Sequence, residues 1–554
     1  MYRESEKIKQ PDMWKDPRLA MGRRTKEIFE SNDGWHHRFR NEVTNRVDEE
    51  IFKPLFSNGS GAPNAPIRIL VAMTALKEGQ GISDEQLYEQ ARFNALVRSA
   101  LGLLNSDEEV PTESTYYLFR QKVSEYAERS GQNLLEAAFE GITQGQCREY
   151  QVSGKRIRMD SKLLGSNIGW YSRYGIVHET IRKYCAANGI TEIDGKEREP
   201  AEILKEKAEA VTYRSTKEEV QRLFEVLGTV MYRLLGAAGA EGNKEYNLLK
   251  RVFEEQYEVT SGPGGGKKQR VKSREKSGIS GKSVQNPHDE ESQYRDKGGN
   301  KVKGYSVNVT ETCDAGSLNL IVDVRTEGSG TADVEYLQVG IEKAQAAVVD
   351  KIAEVYTDGA YHSPENREYC KKEEIDWVLR GIQGKPSRYD LSFDGDGNLA
   401  VVNTESGRQL EAKRSKSRDP GAPQRWVIQD GQKSPIYFER KDVETCELRK
   451  RLEAIPKERL NIRNNVEATI FQVGYHYRGD KSQYRGLDKH RMWAISRCLW
   501  VNFRRIQLWI TRKAGNKENG ETNIPQGGFV FNFLRRFLHR YRPTFRPPVF
   551  AGSC

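Results

Sequence analysis

Apolar residues at helical spacing dominate the first part of the chain. Between residues 35 and 126 they recur every three or four positions, as in residues 67–76. Ser83 then offers an N-cap for another helix, and Pro111 interrupts the pattern before the next one. Several short helices joined by tight turns are typical of helix-turn-helix modules. The pattern therefore predicts an N-terminal helical DNA-binding domain over residues 1–130.

The pattern changes to alternation in the segment KRIRMD. Ile157 and Met159 point to one face and Asp160 to the other, which predicts a short strand with Asp160 at its end. Helical patterns rich in Glu, Lys and Leu then return. They predict a helical insertion over about 165–258, followed by a flexible, Gly-rich and basic linker at 260–285.

Strand patterns begin again at residue 303. GYSVNVTET and LNLIVDVRTE are rich in β-branched residues and are separated by a turn, which predicts a hairpin. A helix, the strand AEVYTDGAY with Asp358 at its end, a helix with Ser363 as N-cap, and the strand IDWVLRGI follow. This order predicts an α+β, mixed fold: an RNase H-like mixed β-sheet flanked by helices.

The sequence also predicts how the rest of the chain is divided. The first part of the sheet domain spans 131–384 and includes the insertion and the linker. Residues 385–440 are polar and rich in turn residues, with short apolar segments such as AVVNT and RWVIQ, which predicts a β-rich insertion. Helical patterns over 441–512 predict the closing helices of the same domain, and 513–554 form a basic, aromatic tail.

Charge favours a polyanionic partner, since the formal net charge is +10. Residues 478–554 hold 16 Lys and Arg against four acidic residues, so the remainder of the chain is slightly acidic. Aromatic residues are interleaved with these basic ones, a composition suited to phosphates and bases. The same aromatic residues would also serve as core, and both interpretations stay open at this point.

Composition excludes several other classes of protein. The seven cysteines are scattered and never form a CxxC pair, which argues against a disulfide framework or a structural zinc site. The N-terminus is charged from its third residue and lacks an apolar core, unlike a secretory signal, and no apolar run approaches the length of a membrane span. We therefore expect a cytoplasmic protein with no membrane partner.

Three acidic residues on separate elements are candidate metal ligands. Asp160 and Asp358 follow strand residues, and Glu467 shares the polar face of a later helix with Arg463. Two-metal phosphoryl transfer requires carboxylates from separate elements to hold two divalent ions. Each of these residues also fits an ordinary role in a turn, a cap or a helix surface pair. The combination, rather than any single residue, indicates the chemistry.

Five sequence blocks resemble those of the DDE transposases of bacterial insertion sequences, and they occur in the same order as in that family. They are the helical block with PTESTYYLFRQKV, then RMDSKLLGSNI, KGYSVNVTET, VYTDGAYHSPENR, and RNNVEATIFQVGYHYRG with WVNFRRI. The resemblance implies an RNase H-like catalytic domain in which Asp160, Asp358 and Glu467 are catalytic and hold metal. It also implies that Arg463 contacts the DNA backbone near the cut.

The resemblance further implies cofactors and partners. It implies two Mg²⁺ ions, for which Mn²⁺ can substitute, and cleavage and strand transfer at terminal inverted repeats. It also implies double-stranded DNA as both element end and target, a homodimer on paired ends, and association with the bacterial nucleoid. The candidate DNA-binding residues beyond Arg463 are Arg478, Lys481, Arg485, Arg504 and Arg505.

Two positions depart from the family pattern. Family members often have a Tyr three residues before the arginine and a Lys seven after the glutamate, where this chain has Leu460 and Gly474. Whether Lys481, Arg478 or Lys489 replaces that phosphate contact, or none does, stays open. Two other functions also stay open: a non-catalytic, transposase-derived DNA-binding protein or regulator, and a structure-specific nuclease on the same fold.

Overall fold

A computed structural model describes most of the chain. It covers residues 1–519 except 7–11, 58, 60, 191–197, 237–241, 262–268, 383, 385–386, 396, 416–422, 432–433 and 475–479. Arg478 and residues 520–554, to which the sequence assigned DNA contacts, lie outside the described residues. Within the described part, no helix combines the length and apolar character that crossing a membrane requires.

The N-terminal part is helical, as predicted. Its helices are α1 (Arg23–Glu30), α2 (Trp35–Glu42), α3 (Ile67–Gln80), α4 (Asp84–Phe93), α5 (Ala95–Leu101), α6 (Glu113–Ser130) and α7 (Leu134–Glu149). The Ser83 hydroxyl caps α4 by accepting a hydrogen bond from the backbone N–H of Gln86, and the Gln86 side-chain oxygen accepts one from the backbone N–H of Ser83. Helix α3 is buried along almost its whole length. It is therefore an internal helix that other elements surround.

The first strand, β1 (Arg156–Gly165), is longer than the sequence indicated. The alternation of polar and apolar residues ends near Asp160, but backbone pairing with a second strand continues as far as Gly165. Asp160 therefore lies in the middle of β1 and not at its end, because pairing rather than side-chain pattern determines the length of this strand.

A helical insertion follows β1, as predicted. It contains α8 (Arg173–Ala187), α9 (Arg198–Lys205), α10 (Ala208–Arg214), α11 (Lys217–Gly236) and α12 (Lys244–Gln256). These helices have an apolar core of their own, in which Leu227 and Leu249 are fully buried. Part of the predicted linker forms a strand pair, β2 (Tyr257–Ser261) and β3 (Gln269–Ser273), in which Val259 lies opposite Val271. Val259 and Thr260 before the glycine run and Val271 after it are β-branched, a residue type that favours strands.

A six-stranded mixed sheet lies at the centre of the remaining chain. Besides β1 it contains β4 (Gln293–Lys297), β5 (Asn300–Thr312), β6 (Ile321–Gly328), β7 (Glu354–Asp358) and β8 (Asp376–Arg380). One edge of β5 pairs antiparallel with β1, and its other edge pairs with β4 and β6. Strands β7 and β8 continue the sheet beyond β1 in parallel orientation. Helix α13 (Leu337–Ala347) follows β6, and α14 (Pro364–Lys372) connects β7 to β8.

The predicted β insertion contains two small sheets. The first consists of β9 (Tyr389–Phe393), β10 (Leu399–Asn403) and β11 (Gln409–Glu411), and the second of β12 (Lys413–Ser415), β13 (Arg425–Ile428) and β14 (Ile436–Glu439). Leu391, Val401 and Trp426 are buried in a common core, to which Val443 of α15 (Arg440–Glu453) contributes. The insertion is thus a compact unit beside the sheet.

Two long helices, α16 (Lys457–Gly474) and α17 (Leu487–Asn519), close the fold. Helix α17 crosses both β6 and α3, and its Trp493 and Phe503 are buried. A Cβ atom on Gly79 of α3 would lie 2.2 Å from the Trp500 ring, so only glycine permits this approach. The N-terminal helices, the hairpin strands β5 and β6, and α17 consequently share one apolar core.

Candidate active site

The topology brings Asp160 and Asp358 to the same level of two adjacent strands. Strands β1 and β7 are parallel, with Arg158 opposite Tyr356, and the two aspartates lie two residues further along each strand. Asp358 ends β7, where its Oδ1 accepts a hydrogen bond of 2.9 Å from the Ala360 backbone N–H. Asp160 Oδ1 accepts a bond of the same length from its own neighbour's N–H. Each carboxylate therefore has one oxygen, Oδ1, held by the backbone, which leaves Oδ2 for other partners.

Helix α16 places Arg463 between the three predicted acidic residues. One terminal nitrogen, Nη2, lies 3.1 Å from Asp160 Oδ2 and 3.7 Å from Asp358 Oδ2. The other, Nη1, lies 3.3 Å from Glu467 Oε1. The exposed fraction of the side chain rises from 12% for Asp160 and 27% for Asp358 to 62% for Glu467. The three carboxylates thus converge around one guanidinium, at a site open to solvent on the Glu467 side.

Burial changes the acidity of this site. It raises the pKa of Asp160 to about 6, with Arg463 opposing the rise and the nearby Asp358 carboxylate adding to it. Lys297, at the turn between β4 and β5, also opposes the rise. Two carboxylates in a poorly solvated site repel each other, so the site favours a cation between them. In this structure Arg463 supplies that charge.

A buried ion-pair network beneath the site positions α16. Glu311 of β5 is fully buried and accepts from Arg158 Nε at 2.6 Å and from Arg505 Nη1 at 2.7 Å. Thr469 of α16 donates to the same carboxylate at 2.8 Å. Burial alone would raise the pKa of Glu311, but Arg505 and Arg158 hold it below its ordinary value.

Arg158 extends this network directly to the helix. Its Nη1 donates to the backbone carbonyl of Ile462, one residue before Arg463, at 2.8 Å. The network therefore joins β1, β5, α16 and α17 at one point. Sequence reasoning missed Glu311. Its signal was an acidic residue inside the otherwise uncharged strand segment SVNVTET.

The other predicted DNA-binding residues occupy different environments. Lys481 and Arg485 are exposed, and Arg485 Nε donates to the Asn167 carbonyl at 2.6 Å. Arg504 is partly buried, and burial lowers its pKa. The Arg505 guanidinium pairs with the buried Glu311 and its side chain is 19% exposed, and DNA contact by Arg505 stays a prediction. The charge pattern of α17 does not show which of its faces packs on the sheet.

The donor atoms of the site suit a hard divalent cation. Asp160, Asp358 and Glu467 present carboxylate oxygens alone, the ligands that Mg²⁺ and Mn²⁺ prefer. Across the described residues, no three His, Cys, Asp or Glu side chains are grouped closely enough to form a metal site as they stand. The Arg463 guanidinium lies between the three carboxylates. The donor atoms of these residues therefore fit a divalent metal in their chemistry.

Comparison with known families identifies two segments of the chain. Residues 26–122 match the model of a transposase domain of the DUF772 family, and residues 278–503 match that of the transposase DDE domain. The second match includes Asp358, Arg463 and Glu467, whereas Asp160 lies between the two matched segments. Asp160 is linked to the others by the geometry of β1 and β7.

Similarity to individual proteins is weaker. No curated protein matches the chain. A solved structure, the piggyBac transposase synaptic complex with hairpin DNA, is 10% identical with a TM-score of 0.28, over 98% of this chain and 87% of that one. A TM-score this low does not establish a shared fold. The two family matches together span more than half of the chain, in the order of the helical unit and the sheet. The protein belongs to the DDE transposases of insertion-sequence type, enzymes that cleave DNA and transfer the cut strands.

Proposed function

We propose that this transposase acts at the terminal inverted repeats of its own element, with two divalent ions held by Asp160, Asp358 and Glu467. The observation that carries the proposal is the convergence of all three carboxylates on the Arg463 guanidinium, within 3.7 Å. When bound, the ions would supply the charge that activates the attacking oxygen and stabilises the leaving one. Mg²⁺ is the proposed ion, and Mn²⁺ the substitute.

The strand order supports an RNase H-like catalytic domain as part of this proposal. Strands β6, β5 and β1 are consecutive and antiparallel, and β7 and β8 continue from β1 in parallel. That order matches the strand, hairpin, helix, strand, helix, strand sequence expected of the fold. It places the middle of β1, with Asp160, beside the end of β7, with Asp358.

Each residue of the site has a separate role in the proposed reaction. Asp160 and Asp358 are on neighbouring strands and are fixed by backbone hydrogen bonds, so they provide the rigid part of the site. Glu467 is the most exposed of the three and approaches from a helix. Arg463 has the planar donor geometry that suits a phosphate. We propose that it transfers from the carboxylates to the DNA backbone when DNA and metal bind.

Arg463→Gln is expected to tighten Mn²⁺ binding about tenfold in the absence of DNA, because a positive charge that competes for the same carboxylates is removed. Arg463→Lys keeps the charge and is expected to bind Mn²⁺ as the wild type does. Calorimetric titration of the full-length proteins would measure both. The matched control is Arg459→Gln, one turn earlier on α16, whose arginine pairs with Glu354 and Asp376 instead. Unchanged or weaker Mn²⁺ binding by Arg463→Gln would contradict the competition.

The experiment that tests the function uses DNA from the flanks of the reading frame. The wild-type protein is expected to cut a duplex carrying the terminal inverted repeat only when Mg²⁺ or Mn²⁺ is present, and to join the freed 3′ end to target DNA. A duplex with a scrambled repeat is the control. Cutting of both duplexes alike, or cutting at junctions regardless of sequence, would instead support a structure-specific nuclease.

Action on two ends calls for two active sites, and a homodimer on paired ends is part of the proposal. Light scattering of the protein with the repeat duplex is expected to give two chains and two duplexes per complex. One chain per duplex throughout the reaction would remove the dimer from the proposal and leave the cleavage chemistry in place.

A further inference from the structure

Lys162 lies beside the catalytic site on the same strand as Asp160. Residues two apart on a strand project from the same face, about 7 Å apart, so Lys162 extends the face that presents Asp160. Its side chain is 20% exposed. Lys162 is therefore on the face of β1 that presents Asp160, and its side chain is still reachable from solvent.

Gly474 makes room for this lysine. It is the last residue of α16 and follows Glu467 by seven residues, which places it on the same helix face about 10 Å further along. A Cβ atom at Gly474 would lie 2.9 Å from Lys162 Cε and 3.4 Å from its Nζ. The Lys162 side chain thus lies across a position of α16 where any other residue would place its own side chain.

The present partner of Lys162 is an exchangeable one. Its Nζ lies 2.5 Å from Asp480 Oδ1, and the Asp480 side chain is 48% exposed. An ion pair with a half-exposed carboxylate contributes little net stability, since that carboxylate is readily solvated. Asp480 thus holds an anionic oxygen where a phosphate oxygen of bound DNA would also fit.

We infer that Lys162 contacts a DNA backbone phosphate beside the cleavage position and exchanges Asp480 for it. This inference rests on the proposed function of the three carboxylates, which repel DNA and need a cation beside them. Lys162 meets that need from β1, on the face of α16 that Gly474 leaves open. The other described candidates differ: Lys481 is exposed and its backbone pairs with Gly165, and Lys489 is exposed at the start of α17.

The first test measures the salt dependence of DNA binding by the full-length protein. The probe is a duplex of arbitrary sequence without divalent ions, so this test does not depend on recognition of the repeat. Loss of one phosphate contact in Lys162→Met is expected to make the negative slope of the log binding constant against log salt concentration shallower by about 0.9. Asp480→Asn removes the competing carboxylate and is expected to tighten binding.

The matched control is Lys343→Met. Lys343 of α13 also forms an ion pair of 2.5 Å, with Glu140, and is 37% exposed. It is expected to keep the wild-type slope. A wild-type slope in a folded Lys162→Met protein, or no tightening in Asp480→Asn, would overturn the inference.

The second test asks whether the position of the charge matters. On the repeat duplex with Mn²⁺, Lys162→Ala is expected to cleave about 10- to 100-fold more slowly, the cost of one hydrogen bond to a charged group. Gly474→Lys in the same chain returns an ammonium to that place from the opposite element and is expected to recover both the rate and the slope. A double variant as defective as Lys162→Ala would mean that the lysine acts through packing and would overturn the inference.

The two proposals fail in different ways. If the wild-type protein binds DNA but cuts no repeat duplex, the proposed function fails. The salt dependence of binding to DNA of arbitrary sequence would still test the Lys162 contact. If the wild type cuts the repeat and Lys162→Met binds and cuts equally well, the lysine contact alone fails.

Discussion

Asp160→Asn is expected to abolish strand cleavage, with a rate lower by on the order of a thousandfold, the usual cost of losing one group that stabilises charge in a transition state. Asn keeps the shape of the side chain and its bond to the backbone but cannot carry the negative charge that a divalent cation needs. Asp358→Asn is expected to behave in the same way. Cleavage of a labelled repeat duplex with Mn²⁺, followed over time, would measure both rates.

The matched control for these variants is Asp376→Asn. Asp376 begins β8, at the opposite end of the parallel strands, and pairs with Arg459. Its substitution is expected to leave the cleavage rate within about twofold, since surface ion pairs contribute little. DNA binding and the thermal midpoint should be similar in all three proteins. Cleavage by Asp160→Asn at the wild-type rate would remove Asp160 from the site.

Glu311→Gln is expected to lower the free energy of unfolding of the sheet unit by about 3 to 5 kcal/mol, because two arginines would be left buried without their shared carboxylate. Glu311 is fully buried and pairs with Arg158 and Arg505. For a cooperative unit of this size the change corresponds to a fall of roughly 10 °C in the thermal midpoint. Differential scanning calorimetry would measure it.

Glu327→Gln on the neighbouring strand β6 is the matched control, because it removes the same charge from a more exposed ion pair. Its ion pair with Arg491 has a similar length, 2.9 Å, but the two side chains are 40% and 28% exposed. Its loss is expected to cost less than about 1 kcal/mol. If the two glutamate variants melted at the same temperature, the Glu311 network would not be what anchors α16 and α17 to the sheet.

Most elements of the fold follow from local sequence signals. Helix periodicity, the Ser83 and Ser363 caps, and the β-branched hairpin depend on nearby residues, and all appear where the sequence predicts them. The length of β1 was missed because strand pairing with β5 extends it past the last alternating residue. Pairing partners far apart in the chain leave no local signal.

The site shows the same division. Arg463 and Glu467 share a helix turn, and their proximity was predictable from i,i+4 spacing. Asp160 and Asp358 lie side by side because β1 and β7 are neighbouring strands. Local sequence does not show which strands become neighbours, so predicting this proximity required the family resemblance or the structure. The pairing of Arg505 with Glu311 was not predicted, because a basic residue on a long amphipathic helix gives no sign of a buried acidic partner on a distant strand.

The contact between Gly79 and Trp500 has a consequence for engineering this enzyme. The face of α3 that meets Trp500 is apolar and closed by a helix that lies more than 400 residues later in the chain. A recombinant fragment ending after α7 would leave that face bare and would be prone to aggregate. Chimeras that exchange the N-terminal helices between relatives should therefore carry the matching α17 surface with them, or they will misfold where the exchanged helices meet α17.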